Sequence, residues 1–75
     1  MILPTKHISV RDSLLGAGAS ILAHLDSPQT ATALWERVRV LPEIATYQRF
    51  VMVLDLLYAL QAVEFADGLI ARGKR

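Results

Sequence analysis

Cysteine is absent from the 75 residues, which excludes disulfides, thiolate metal sites and thiol catalysis. Net charge is nearly absent as well. Eight Lys and Arg stand against seven Asp and Glu, leaving +1, so no strong field draws in nucleic acid or an anionic membrane. No apolar run reaches the ~20 residues of a membrane span; the longest candidate, FVMVLDLLYALQAV at 50–63, is broken by Asp55 and Gln61. The opening MILPTKHI has no basic stretch ahead of an apolar core, so it is not a signal peptide, and a cytoplasmic location is expected. Repeats, linkers and low-complexity segments are missing too. What remains is one domain, residues 1–75, with room for a single small core and marginal stability.

Chemistry-bearing patterns are equally scarce. His7 and His24 fall on different elements without carboxylates around them, whereas a zinc site needs three or four converging ligands. The seven carboxylates are scattered singly, and no Ser-His-Asp arrangement can be read from their spacing. LLGAGAS, residues 14–20, matches neither GxGxxG nor GxxxxGK[ST], and no strand precedes it; close helix packing accounts for its glycines better. The expectation is a protein that is not an enzyme and that carries no cofactor, metal or small-molecule substrate.

Apolar residues, by contrast, make up 53% of the chain, above the ~45–50% of a globular domain, a range that already counts glycine. Residues 1–10 read as extended, with Pro4 confining any strand to a sheet edge. Asp12 or Ser13 caps a first helix, SLLGAGASILAHL, ending near Asp26-Ser27-Pro28. Leu14, Leu15, Gly18, Ile21, Leu22 and Leu25 share one of its faces, and Gly16, Ala17, Ala19, Ser20 and Ala23 the other. Thr30 or Thr32 caps a second helix, ALWERVRVL, with Leu34, Val38 and Leu41 inward and Trp35 at the border; Pro42 stops it at or before Leu41. Thr46 caps a third, TYQRFVMVLDLLYALQ. In VEFADGLIAR, Asp67-Gly68 suits a type I′ hairpin that pairs Phe65 with Ile70 and Val63 with Arg72. Residues 72–75 read as a frayed basic tail. The fold class is therefore mainly α with a small β-hairpin: three helices and a wing, a winged helix-turn-helix. A plain three-helix bundle with a loose tail is the alternative.

A winged helix reads DNA with its third helix in the major groove, which needs Arg, Lys, Asn or Gln on the exposed face. Here that helix offers Arg49 and Gln48 near its start, then Asp55 and Gln61, and the wing adds Glu64 and Asp67, which repel phosphate. Its apolar side chains sweep more of the circumference than one core stripe needs. Phe50, Val53, Leu54 and Leu57 suffice for the core. Met52, Leu56, Ala59 and Val63 form a second stripe, covered either by residues 1–8 or the hairpin, or else by a partner protein. Gly16, Ala19, Ser20 and Ala23 let another helix or segment approach the first helix closely. These eight residues are the candidate partner-binding set.

The opening MILPTKHI, followed by SLLGAGASIL, LWERVR and FVMVLDLLYAL with a short Asp-Gly hairpin, resembles the small middle components of bacterial ABC three-component systems, in particular the type-six middle component. The resemblance covers nearly the whole chain. It implies a winged-helix-like fold and a non-catalytic adaptor that links an SMC-like ABC ATPase to an effector-linked component in a bacterial antiviral or conflict complex. Where that pattern leads one to expect a glycine between helix and wing, this chain has Gln61-Ala62. A DNA-binding regulator, or an adaptor that contacts DNA only within the complex, is the other functional reading.

Overall fold

The computed structural model describes residues 10–73, the side chains of Val10, Arg11 and Asp12 excepted. Three helices, α1 (Val10–Ala23), α2 (Ala31–Val38) and α3 (Tyr47–Ala59), lead into strands β1 (Val63–Ala66) and β2 (Leu69–Arg72). This is the winged-helix arrangement expected from the sequence, mainly helical with a two-stranded antiparallel wing.

The caps of α2 and α3 follow from side-chain chemistry. Thr30 and Thr46 both sit in extended backbone, and each hydroxyl accepts the amide three residues on, Ala33 and Arg49, satisfying one of the donors a helix start leaves open. Between Asp26 and Thr30 the chain makes a contact that periodicity does not announce. Gln29 pairs antiparallel with Ile70, its N–H donating to the Ile70 carbonyl at 2.9 Å and the Ile70 N–H donating back at 2.6 Å. The wing is thereby sewn to the α1–α2 connection.

At the α3 end, the Ala62 amide donates to the Leu57 carbonyl at 2.8 Å and the Gln61 amide to that of Tyr58 at 3.0 Å. These are the two bonds of a Schellman cap, whose left-handed position usually holds glycine. Gln61 occupies it with φ 62°, so the tight turn forms without the expected glycine. In the hairpin, Asp67 and Gly68 have φ 57° and 75°, as a type I′ turn requires. The register is the expected one, Phe65 opposite Ile70 and Val63 opposite Arg72.

Ala45 is the third non-glycine residue with positive φ, at 64°. It carries only a methyl group and is exposed, so its side chain makes no hydrogen bond that would offset the left-handed strain. Ala45→Gly is expected to raise stability by ~1 kcal/mol, read as a higher urea midpoint at unchanged slope; an unchanged or lowered midpoint contradicts it.

The core joins all three helices to the wing: Ala17, Ile21 and Leu25 from α1 and its end, Leu34 and Val38 from α2, Ile44 between helices, Phe50, Val53, Leu54 and Leu57 from α3, and Val63 and Ile70 from the hairpin. Trp35 packs edge-on against Tyr47, ring centroids 5.2 Å apart, and lies 5.3 Å from Phe50. The four residues assigned to the core stripe of α3 are all buried.

Several expectations need correction. Helix α1 begins at Val10, so Asp12 and Ser13 lie inside it and neither caps it; the rest of the segment read as extended, residues 1–9, lies outside the described residues. Helices α1 and α2 end earlier than expected, at Ala23 and Val38, because single-turn bonds such as His24 to Ile21 and Leu41 to Val38 take over there. The buried face of α1 is turned toward Ala17, which is fully buried, while Leu15 is 47% exposed. The cause is contact with α3. A Cβ on Gly18 would lie 3.0 Å from Leu57 Cδ2, so small residues at 17 and 18 bring the helices together. Gly16 meets none of the described residues within 4 Å, so close packing among them does not explain it. Finally, Arg72 is not part of a frayed tail. Its guanidinium donates to the carbonyls of Leu25 (3.1 Å) and Leu22 (2.7 Å), placing a cation at the negative end of α1, which has no basic residue in its own last turn. Gly73 is tied down as well, its amide donating to the Ala62 carbonyl, while Lys74 and Arg75 lie outside the described residues.

Candidate functional site

In a winged helix the surface that meets a ligand is the outer face of α3 with the adjoining wing. Opposite the buried stripe, the outward positions of α3 are Gln48, Val51, Met52, Asp55, Tyr58 and Ala59, all exposed, with Leu56 half-buried at one border. They occupy an arc of roughly 160° at ~100° per residue, and only Gln48 and Asp55 interrupt the apolar surface. Arg49, the single cation of α3, is engaged inward: its Nε donates to the Glu43 carbonyl at 2.8 Å and its Nη2 to the Ser13 hydroxyl. That side chain ties α1, the α2–α3 turn and α3 together, which leaves no basic group on the outer face of the helix.

The wing extends this surface. Strand alternation puts Val63 and Phe65 on the side facing α3; Val63 is buried, and Phe65, 48% exposed, stacks on Tyr58 with centroids 4.8 Å apart. Between α3, the start of α2 and the hairpin runs an open groove of about 260 Å³ whose walls include Val51, Leu54, Asp55, Phe65, Leu69 and Ile70. Its lining is dominated by carbon, and Asp55 is its one charged residue.

The residues singled out in the sequence are distributed over three places. Met52, 47% exposed, and Ala59 lie open on the outer face of α3, with Leu56 half-buried at its border. Val63 is separated from them: it stands in β1 at 2% exposure, as part of the core, because α3 has already ended at Ala59. Gly16, Ala19, Ser20 and Ala23 sit on α1 away from α3. Of these, Gly16, Ala19 and Ala23 are exposed, whereas the Ser20 hydroxyl donates to Glu43 Oε2 at 2.6 Å. That bond, aided by Glu43's own backbone, holds the Glu43 carboxyl below its ordinary range. The face is thus small and open around Gly16 and tethered at Ser20.

Sequence reasoning missed the groove. Val51, Asp55 and Tyr58 recur at i, i+4 and i+7, but taking Asp55 as a break in the apolar run hid the stripe. The contribution of Phe65 and Leu69 depends on how the hairpin folds back on α3, for which no local signal exists.

Among the described residues, no helix is long and apolar enough to cross a membrane, and no three His, Asp or Glu side chains converge as metal ligands would. A family model described as "ABC-three component (ABC-3C) system Middle Component 6" matches residues 3–72. No curated protein and no solved structure matches the chain.

Proposed function

Because this chain belongs to the Middle Component 6 family of ABC-three component systems, we propose that it acts there as a non-catalytic adaptor, joining an SMC-like ABC ATPase to an effector-linked component of a cytoplasmic antiviral or conflict complex. Membership in a multicomponent system implies protein partners. The observation that supports adaptor chemistry is the outer face of α3: where a DNA reader carries base-contacting and phosphate-contacting side chains, this one presents Val51, Met52, Tyr58 and Ala59, with Arg49 turned inward. Apolar side chains collected on one exposed face favour a protein surface over a phosphate backbone. The small-residue patch at Gly16, Ala19 and Ala23 offers a second place of contact.

The test is reconstitution. The purified chain mixed with the ATPase component of its own system should co-elute with it in size-exclusion chromatography. Elution of every component separately, in all pairwise and ternary mixtures, overturns the reading. The competing reading, a DNA-binding regulator, makes the opposite demand on the isolated protein. With a net charge of +1 and Asp55 and Asp67 on the α3–wing surface, few phosphates can be neutralised, and little counterion release is available. Fluorescence anisotropy with duplex DNA near ~150 mM salt should give no binding below about 1 µM, since even non-specific DNA binders reach only ~1–100 µM there; sub-micromolar binding favours the regulator.

A further inference from the structure

The groove between α3 and the wing carries an electrostatic asymmetry that narrows its occupant. Asp55 is exposed at its wall and, among the described residues, has no ion-pair or hydrogen-bond partner. Among the described residues, no Lys, Arg or His lines the groove. The arginines among the described side chains are engaged elsewhere: Arg49 with Glu43 and Ser13, Arg72 with the end of α1, Arg37 with Asp26 and Arg39 with Glu36. An apolar channel with one unanswered carboxylate complements an apolar group that has a cation beside it.

We propose that this groove seats a segment of a partner protein that inserts a large apolar side chain against Val51, Leu54, Phe65 and Ile70 and pairs a neighbouring Arg or Lys with Asp55. The proposal rests on the adaptor reading and names the chemistry of its partner. A second copy of this chain fits poorly. Two-fold pairing lays a patch on itself, and among the described residues this patch holds no cation to answer Asp55. Nucleic acid fits poorly too, since the groove offers a phosphate only Asp55, with Asp67 at the adjoining turn. A partner cation, by contrast, gains a carboxylate flanked by carbon, where water screens the pair less than on open surface.

The experiment uses the full chain, tagged and co-expressed with the other components of its system. Asp55→Lys and Val51→Glu are compared with wild type, and Glu36→Lys, on the exposed side of α2, serves as a control with the same charge change as Asp55→Lys. Thermal melts confirm that each variant is folded. Asp55→Lys and Val51→Glu are expected to lower capture by about tenfold or more, with Glu36→Lys unchanged. A photo-crosslinking residue at Leu69 should then mark a partner segment in which Arg or Lys adjoins a large apolar residue. Folded Asp55→Lys and Val51→Glu that are captured like wild type overturn the proposal while leaving the adaptor reading intact. A crosslinked segment without a cation, or a crosslink to a second copy of the chain, overturns it as well. If wild type captures no component, the adaptor reading falls and the proposal with it.

Discussion

Leu57→Ala is expected to unfold much of the protein at room temperature, whereas Met52→Asp, five positions earlier on the same helix, is expected to leave the fold standing and abolish assembly. Leu57 is 4% exposed and faces α1 at Gly18. Truncating a buried leucine costs ~2–5 kcal/mol through lost transfer energy and the cavity left behind. A core in a chain of this size rarely supplies more than ~3–5 kcal/mol in all, so the loss is comparable to the whole. Collapse around the cavity gives little relief, because α1 already touches α3 through a residue without a side chain. Met52 is 47% exposed on the outer face, and a carboxylate there stays in water as long as the protein is alone. Within an assembly that covers the stripe, the same carboxylate becomes an unpaired buried charge. Thermal melts and pull-downs against the ATPase component separate the two cases. If Met52→Asp melts as low as Leu57→Ala, the stripe is internal packing and the partner binds elsewhere.

The second large effect is expected at the base of the wing. Gly73 donates its amide to the Ala62 carbonyl at 2.8 Å, continuing the hairpin ladder past Arg72. A Cβ there would lie 2.1 Å from the Gln61 carbonyl oxygen and 3.1 Å from its carbon. The obstacle is backbone, held in place by the α3 cap, and has no rotamer by which to move aside. Gly73→Ala should therefore cost ~1–3 kcal/mol, the range for overpacked sites, by forcing β2 away from the α3–β1 turn. The damage should spread to the end of α1, because Arg72 reaches Leu22 and Leu25 only from a closed hairpin. Hydrogen exchange should show lost protection at the amide of Gly73, which donates to the Ala62 carbonyl, together with fraying after Ile21. Gly16→Ala is the opposite case: the added methyl meets none of the described residues within 4 Å and replaces a helix-interior glycine, which should stabilise the isolated chain by ~1 kcal/mol. Equal melting of the two variants would remove the distinction between a glycine required by its surroundings and one that is not.

What the chain determined locally is what could be read from it. Thr30 and Thr46 placed the starts of α2 and α3, because a hydroxyl three residues ahead of a free amide is a short-range interaction. Asp67-Gly68 set the turn type and through it the whole wing register, since the strand period of two leaves no latitude once the turn is fixed. The buried stripe of α3 followed from its 3.6-residue period. The end of that helix did not, and Gln61, taking the left-handed position of the cap, cut Val63 off from the stripe to which periodicity assigned it. Helix α1 was the least legible. Periodicity put Gly18, Ile21 and Leu25 on one face, and they are buried, but the rotation that left Leu15 exposed and brought Ala17 inside came from Leu57 pressing on Gly18. The Gln29–Ile70 pairing, the turning inward of Arg49 and the capping of α1 by Arg72 join residues far apart in the chain; Arg72 and Leu22 are 50 positions apart. So do the walls of the groove, which come from both α3 and the hairpin. Such contacts depend on how finished elements pack, and packing is a property of shapes that no window of neighbouring residues contains.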